Sequence, residues 1–153
     1  MNIPVPWVFV IAYVIGIGIS LLVPVTISSS KLVTVFQALG ILMLGVGAIL
    51  AVWGQWVFHK EHTTTVPNET TSTFVTWGPY RFSRNPMYLG LFLFFAGFSV
   101  IFTWVWSILL LLAVVYYVNS VVIPVEEKQL QRNFGEAYGK YCKRVRRWIW
   151  LSS

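Results

Sequence analysis

The chain has 153 residues, 57% hydrophobic and only 10% charged, with a mean hydropathy of +0.71. A water-soluble domain carries about 25% charged residues, so there is too little polar surface here to cover a globule in water. The net charge of +6 argues less for a nucleic-acid-binding domain than for the Lys and Arg excess that membrane proteins hold on their cytoplasmic side.

The segment 1–7 has no basic residue and no small-residue cleavage site follows it, so the first apolar stretch reads as a retained span and not a signal peptide. A bilayer core of about 30 Å takes about 20 apolar residues per helix. Residues 7–25 fit a first span, with Pro4 and Pro6 ahead of it, where missing N–H groups do least harm. A short polar turn leads to a second span at 32–57. Gly40, Gly47 and Gly54 recur there every seventh residue, which places small residues near one face and lets another helix approach. Residues 59–86 form a polar loop rich in Thr, Asn and Pro. No charge then occurs between Arg84 and Glu126. That stretch is too long for one helix and right for two, 87–103 and 105–123, turning near Thr103 beside the belt residues Trp104 and Trp106. The expected fold is therefore all-α, with about four transmembrane helices in two hairpins and a single integral membrane domain.

Of the 11 Lys and Arg residues, seven lie between Lys128 and Arg147. The positive-inside rule places this tail, the central loop and both termini in the cytoplasm. After Pro124, Leu130, Phe134, Tyr138, Tyr141, Val145 and Trp148 make one apolar stripe at helical spacing over residues 126–150. Gly135 reads as the end of one helix, with Glu136 in the first turn of the next. Such a tail either lies on anionic lipid or folds over the span ends as a lid. The single cysteine, Cys142, excludes an internal disulfide.

Chemistry concentrates in two clusters. One runs from Trp77 to Gly90 and leads into the third span; the other, Glu126-Glu127, leaves the fourth. At 1.5 Å per residue, the chain between them goes up and back across the bilayer, so the carboxylates return to the face that holds Arg81, Arg84, Tyr80 and Tyr88. Adjacent carboxylates at a membrane boundary repel each other and call for cations nearby. Helix-end anchoring alone would explain such pairs in an arbitrary membrane protein. Here Gly78-Pro79 and Asn85-Pro86 also force a turn and restart a helix, which frees backbone groups for a ligand.

Gly78-Pro79-Tyr80, Arg84-Asn85-Pro86-Met87-Tyr88-Leu89-Gly90, and Glu126-Glu127 followed by Leu130, Phe134-Gly135, Tyr138 and Tyr141 resemble the integral membrane methyltransferases. These include the isoprenylcysteine carboxyl methyltransferases and phospholipid N-methyltransferases. The resemblance covers residues 75–145. It implies S-adenosylmethionine as methyl donor, held by Thr73, Phe74, Val75, Tyr80, Asn85, Pro86, Met87, Tyr88, Glu126 and Glu127, with Arg84 and Glu126 at the chemistry. Glu126 or Glu127 suits the donor's amine, Tyr80 or Tyr88 offers a π face to a cation, and Arg84 or a tail arginine suits its carboxylate. Many members have His where this chain has Asn85, which removes a general base and favours an anionic or already deprotonated acceptor. The isoprenylcysteine branch has an arginine one turn before the glutamates; here stand Ser120, Val121, Val122 and Ile123. The implied partners are the bilayer and a lipophilic acceptor, either an isoprenylcysteine-like carboxylate or a phospholipid amine. A neighbouring subunit could complete the site.

Asn119 is the only amide in the fourth span; it either bonds another helix or lines the acceptor pocket. His59 and His62 share a helix face, but two ligands without Asp or Cys nearby make a poor metal site, so no metal is expected. Asn68-Glu69-Thr70 matches a glycosylation sequon on a loop expected in the cytoplasm. Two other functions compete. Membrane sterol reductases, which use NADPH, look similar over the C-terminal half, but this chain has no Gly-x-Gly-x-x-Gly run. A non-enzymatic protein sensing anionic lipid through its basic tail is the second.

Overall fold

The computed structural model describes residues 4–25, 29–60 and 74–149. Thr73, His62 and the Asn68-Glu69-Thr70 sequon lie outside these described residues. Five α-helices account for most of the described chain, and among the described residues there is no strand: α1 (Val5–Leu22), α2 (Ser30–Lys60), α3 (Pro86–Ile101), α4 (Val105–Tyr117) and α5 (Ile123–Arg144). The fold is all-α, as the lengths of the apolar stretches lead one to expect. α1, α2 and the combined α4–α5 run are long and apolar enough to cross a membrane, and α3 is a shorter apolar helix. Their outward faces carry exposed Ile11, Leu42, Ile49, Val52, Leu109 and Leu112, the surface expected where lipid is the solvent.

The glycine spacing finds its partner in α3. A Cβ on Gly40 would stand 2.7 Å from the Gly97 carbonyl oxygen, and one on Gly97 would stand 2.7 Å from that of Gly40. Gly47 and Gly90 are related in the same way, at 2.8 and 2.9 Å. Two antiparallel glycine ladders thus face each other, and the backbones approach as closely as side chains ever permit. α2 packs chiefly on α3 and α1 on α4. The first pair of helices in sequence is therefore not the tightest pair in space. At the far end the Trp106 indole donates to the Val23 carbonyl at 3.0 Å, tying α1 to α4. The turn between α3 and α4 centres on Thr103, whose φ is 56°.

The run from α4 into α5 has no break at Pro124. Instead, Val118–Val122 form a π-turn, with the Ile123 N–H bonded to the Val118 carbonyl. Proline at the first turn of α5 lacks the N–H a regular helix needs and crowds the carbonyl four residues back; a locally wider turn absorbs both effects. Gly135 then bends α5, with φ 48° and ψ −118°, a backbone conformation open in practice only to glycine. The helix stops at Arg144, short of residue 150, because Val145 is extended. The tail folds back onto the bundle end, and Trp148 is buried in the same core as Val5, Phe9, Leu89 and Ile123.

Candidate functional site

The site is built where α2 ends, α3 begins and α5 leaves the bundle. Gly78 has φ +64° and starts a 3-10 turn through Arg81; a side chain there would be strained and would also press on Val57. The turn packs Tyr80 against Val57, Val75 and Phe58. Pro86 opens α3 with its fixed φ, so Tyr88 falls in the first turn of that helix, at the bundle end. Its hydroxyl donates to Glu126 Oε1 at 2.6 Å.

Glu126 and Glu127 are neighbours on one helix, where successive side chains diverge by about 100°, and they enter different surroundings. Glu126 faces the phenol of Tyr88 and no described cation within ion-pair distance. Burial pushes its carboxyl above the ordinary range; the Tyr88 bond works against that rise, and Glu127 adds to it. Glu127 lies between two guanidiniums. Its Oε1 is 3.2 Å from Arg84 Nη1, and Arg147 makes a forked contact, Nε to Oε1 at 3.2 Å and Nη2 to Oε2 at 2.5 Å. Burial is the largest influence on Arg84 and opposes its charge, but Glu127, Cys142 and Tyr138 together outweigh it and hold the guanidinium above its usual value. Arg84 Nη1 also donates to Cys142 Sγ at 2.7 Å.

The tail closes this cluster as a lid, one of the two arrangements its amphipathic pattern allowed. The Tyr141 hydroxyl donates to the Tyr80 carbonyl at 2.7 Å, and Phe74 stacks on Phe134 and meets Tyr138 and Tyr141 edge-on. Beyond Arg144 the extended segment runs beside residues 83–85. The Arg84 N–H donates to the Arg146 carbonyl at 2.9 Å, while Ser83 Oγ and Asn85 Nδ2 donate to the Arg147 carbonyl at 3.1 and 3.2 Å.

Of the residues singled out in the sequence, the structure brings Arg84, Tyr88, Glu126 and Glu127 together by direct contact. Phe74, Val75 and Tyr80 form the aromatic and apolar flank. Pro86 is buried at the start of α3, and the Met87 side chain packs against Gly54. Asn85 bonds the tail backbone through its side chain. Asn119 accepts from the Trp148 indole at 2.9 Å. Sequence reasoning did not single out Arg147, Cys142 or Ser83: one arginine in a basic run, one thiol and one serine carry no spacing that separates them from their neighbours. Among the described residues no group of three His, Cys, Asp or Glu could hold a metal.

The donor set fits S-adenosylmethionine. An ammonium and a carboxylate need one negative group without a cation partner and one positive group, which Glu126 and the Arg84–Arg147 pair supply. In addition, Arg84 Nε is buried and has no hydrogen-bond acceptor, although buried donors almost always have one. A carboxylate would satisfy it.

A family model described as phospholipid methyltransferase matches residues 35–137. Comparison with curated proteins and with solved structures gave no match.

Proposed function

The chain belongs to the phospholipid methyltransferase family, and from that premise we propose a multi-pass membrane enzyme that methylates a lipophilic acceptor with S-adenosylmethionine. The acceptor is a phospholipid amine or an isoprenylcysteine-like carboxylate that reaches the site from the bilayer, and the site faces the cytoplasm. What supports this most is the parting of two adjacent carboxylates: Glu126 pairs with a phenol alone, and Glu127 with two guanidiniums.

When bound, the donor supplies a methyl group already activated on a cationic sulfonium, so the chain needs no nucleophile of its own. Glu126 holds the amine, because its charge is not matched by a cation. Tyr88 fixes the orientation of that carboxylate and, with Tyr80, offers aromatic faces to positive charge. Arg84 and Glu127 set the opposite pole. Phe74, Val75 and Met87 shield the cluster from water, which strengthens each charge contact. Asn119 borders the acceptor's path. Asn85 supplies no base, so a carboxylate acceptor would react as it stands, whereas an amine must arrive deprotonated or pass its proton to water.

Calorimetric titration of detergent-purified protein with S-adenosylmethionine, S-adenosylhomocysteine and NADPH tests the reading. Binding of the first two, weakened in Glu126→Gln, is expected, followed by transfer of labelled methyl into a lipid extract. Binding of NADPH alone would move the protein to the reductases, and no binding of any of the three by folded protein would favour a lipid sensor.

A further inference from the structure

Resting on the methyltransferase reading, we infer that Arg147 is the residue that receives the amino-acid carboxylate of S-adenosylmethionine, and that Trp148 and Asn119 position it. The segment that carries it lies beyond the matched residues 35–137.

Arg147 is held on both sides. On one side its carbonyl accepts from Ser83 Oγ and Asn85 Nδ2, and the preceding carbonyl accepts from the Arg84 N–H. On the other, Trp148 is only 4% exposed and sits in the bundle core. Its indole N–H donates to Asn119 Oδ1, in the π-turn that joins α4 to α5. A buried indole with its N–H satisfied is a strong and directional anchor. Fixed this way, Arg147 reaches across to Glu127 with two parallel contacts, the fork geometry by which guanidinium recognises carboxylates.

Charge divides the cluster into two halves. Two guanidiniums share Glu127, which leaves one positive charge in excess, together with the unpaired Nε–H of Arg84. Glu126 beside them carries one negative charge without a cation. The whole is neutral and polar in one direction, which suits a ligand end bearing both an ammonium and a carboxylate. The positive half is incomplete without Arg147, because Arg84 alone is neutralised by Glu127.

Two ligands separate this role from a purely structural one: S-adenosylhomocysteine, and 5′-methylthioadenosine, which keeps the adenosyl thioether and lacks the amino acid. Both are titrated calorimetrically into full-length protein in detergent. Arg147→Gln is expected to weaken S-adenosylhomocysteine about tenfold or more, the worth of a charge-assisted contact, and to leave 5′-methylthioadenosine within about twofold. Arg147→Lys should restore part of the loss, since it keeps the charge without the fork. Trp148→Phe keeps a buried ring and removes the N–H; it should weaken only S-adenosylhomocysteine, by about threefold to tenfold. If Arg147→Gln binds S-adenosylhomocysteine like the wild type, or weakens both ligands equally, the assignment of Arg147 is overturned while the donor reading stands. If the folded wild type binds neither ligand, the donor reading falls and takes this inference with it.

Discussion

Tyr88 and Glu126, 38 positions apart in the chain, are joined by a hydrogen bond of 2.6 Å that links the first turn of α3 to the start of α5. A bond to the charged form of a carboxylate favours that form. Tyr88→Phe keeps the ring and removes the donor, so the Glu126 carboxyl should rise further and the affinity for S-adenosylhomocysteine at neutral pH should fall about threefold to thirtyfold. Calorimetry at several pH values checks both effects; an unchanged pH profile would detach Glu126 from the donor.

The raised carboxyl of Glu126 sets a pH dependence with a defined sign. An ammonium is held by the carboxylate form, so affinity is full above the raised value and is lost as pH falls through it, earlier than for an ordinary carboxylate. Glu126→Gln should bind weakly and show no such fall, while the ligand's own ammonium and carboxylate keep their charges through the weakly acid range. A wild-type profile flat over that range would show that another group holds the amine.

Arg84 is buried, with a side chain only 7% exposed, and Glu127 is its counterion. Removing one partner of such a pair leaves a charge out of water and uncompensated. Glu127→Gln should therefore lower stability by about 3 kcal/mol, measured as an earlier unfolding transition in detergent. Glu136→Gln, which opens the exposed pair with Lys140, should change stability by less than about 0.5 kcal/mol.

The glycine ladder predicts a contrast within one helix. A Cβ on Gly47 would collide with the backbone nitrogen of Phe94, while one on Gly45 meets nothing within 4 Å. Gly47→Ala should destabilise the α2–α3 pair by about 1–3 kcal/mol, and Gly45→Ala should be neutral or stabilising by about 0.5–1 kcal/mol. Equal effects in thermal unfolding would mean that the two helices can separate at little cost.

Much of this architecture is legible in the residues. Apolar lengths mark out the helices, Gly135 marks the bend in α5, and the uncharged stretch between Arg84 and Glu126 brings the carboxylates back to the arginines by length alone. The partner of the glycine ladder was harder to see, because Gly90 and Gly97 look unremarkable until α3 is laid antiparallel to α2. Pro124 misleads in the opposite direction: a proline usually ends a helix, yet the π-turn ahead of it keeps the run continuous. The tail is the least legible part. Its stripe is helical through Tyr141, but Trp148 reaches the core from an extended segment, and only tertiary contacts with Ser83, Asn85 and Glu127 distinguish Arg147 from Arg144 and Arg146.

The length of α3 bears on how an acceptor could arrive. Its 16 residues rise about 24 Å, several ångströms less than the hydrocarbon thickness of about 30 Å, whereas its partner α2 has 31. A bilayer meets such a short helix by thinning around it, and the leaflet beside Pro86 and Tyr88 would dip toward them. The carboxylates and arginines would then lie level with the glycerol region of the surrounding lipids, in a local depression of the membrane surface. A headgroup could meet the site by lateral diffusion alone, with its acyl chains never leaving the oil.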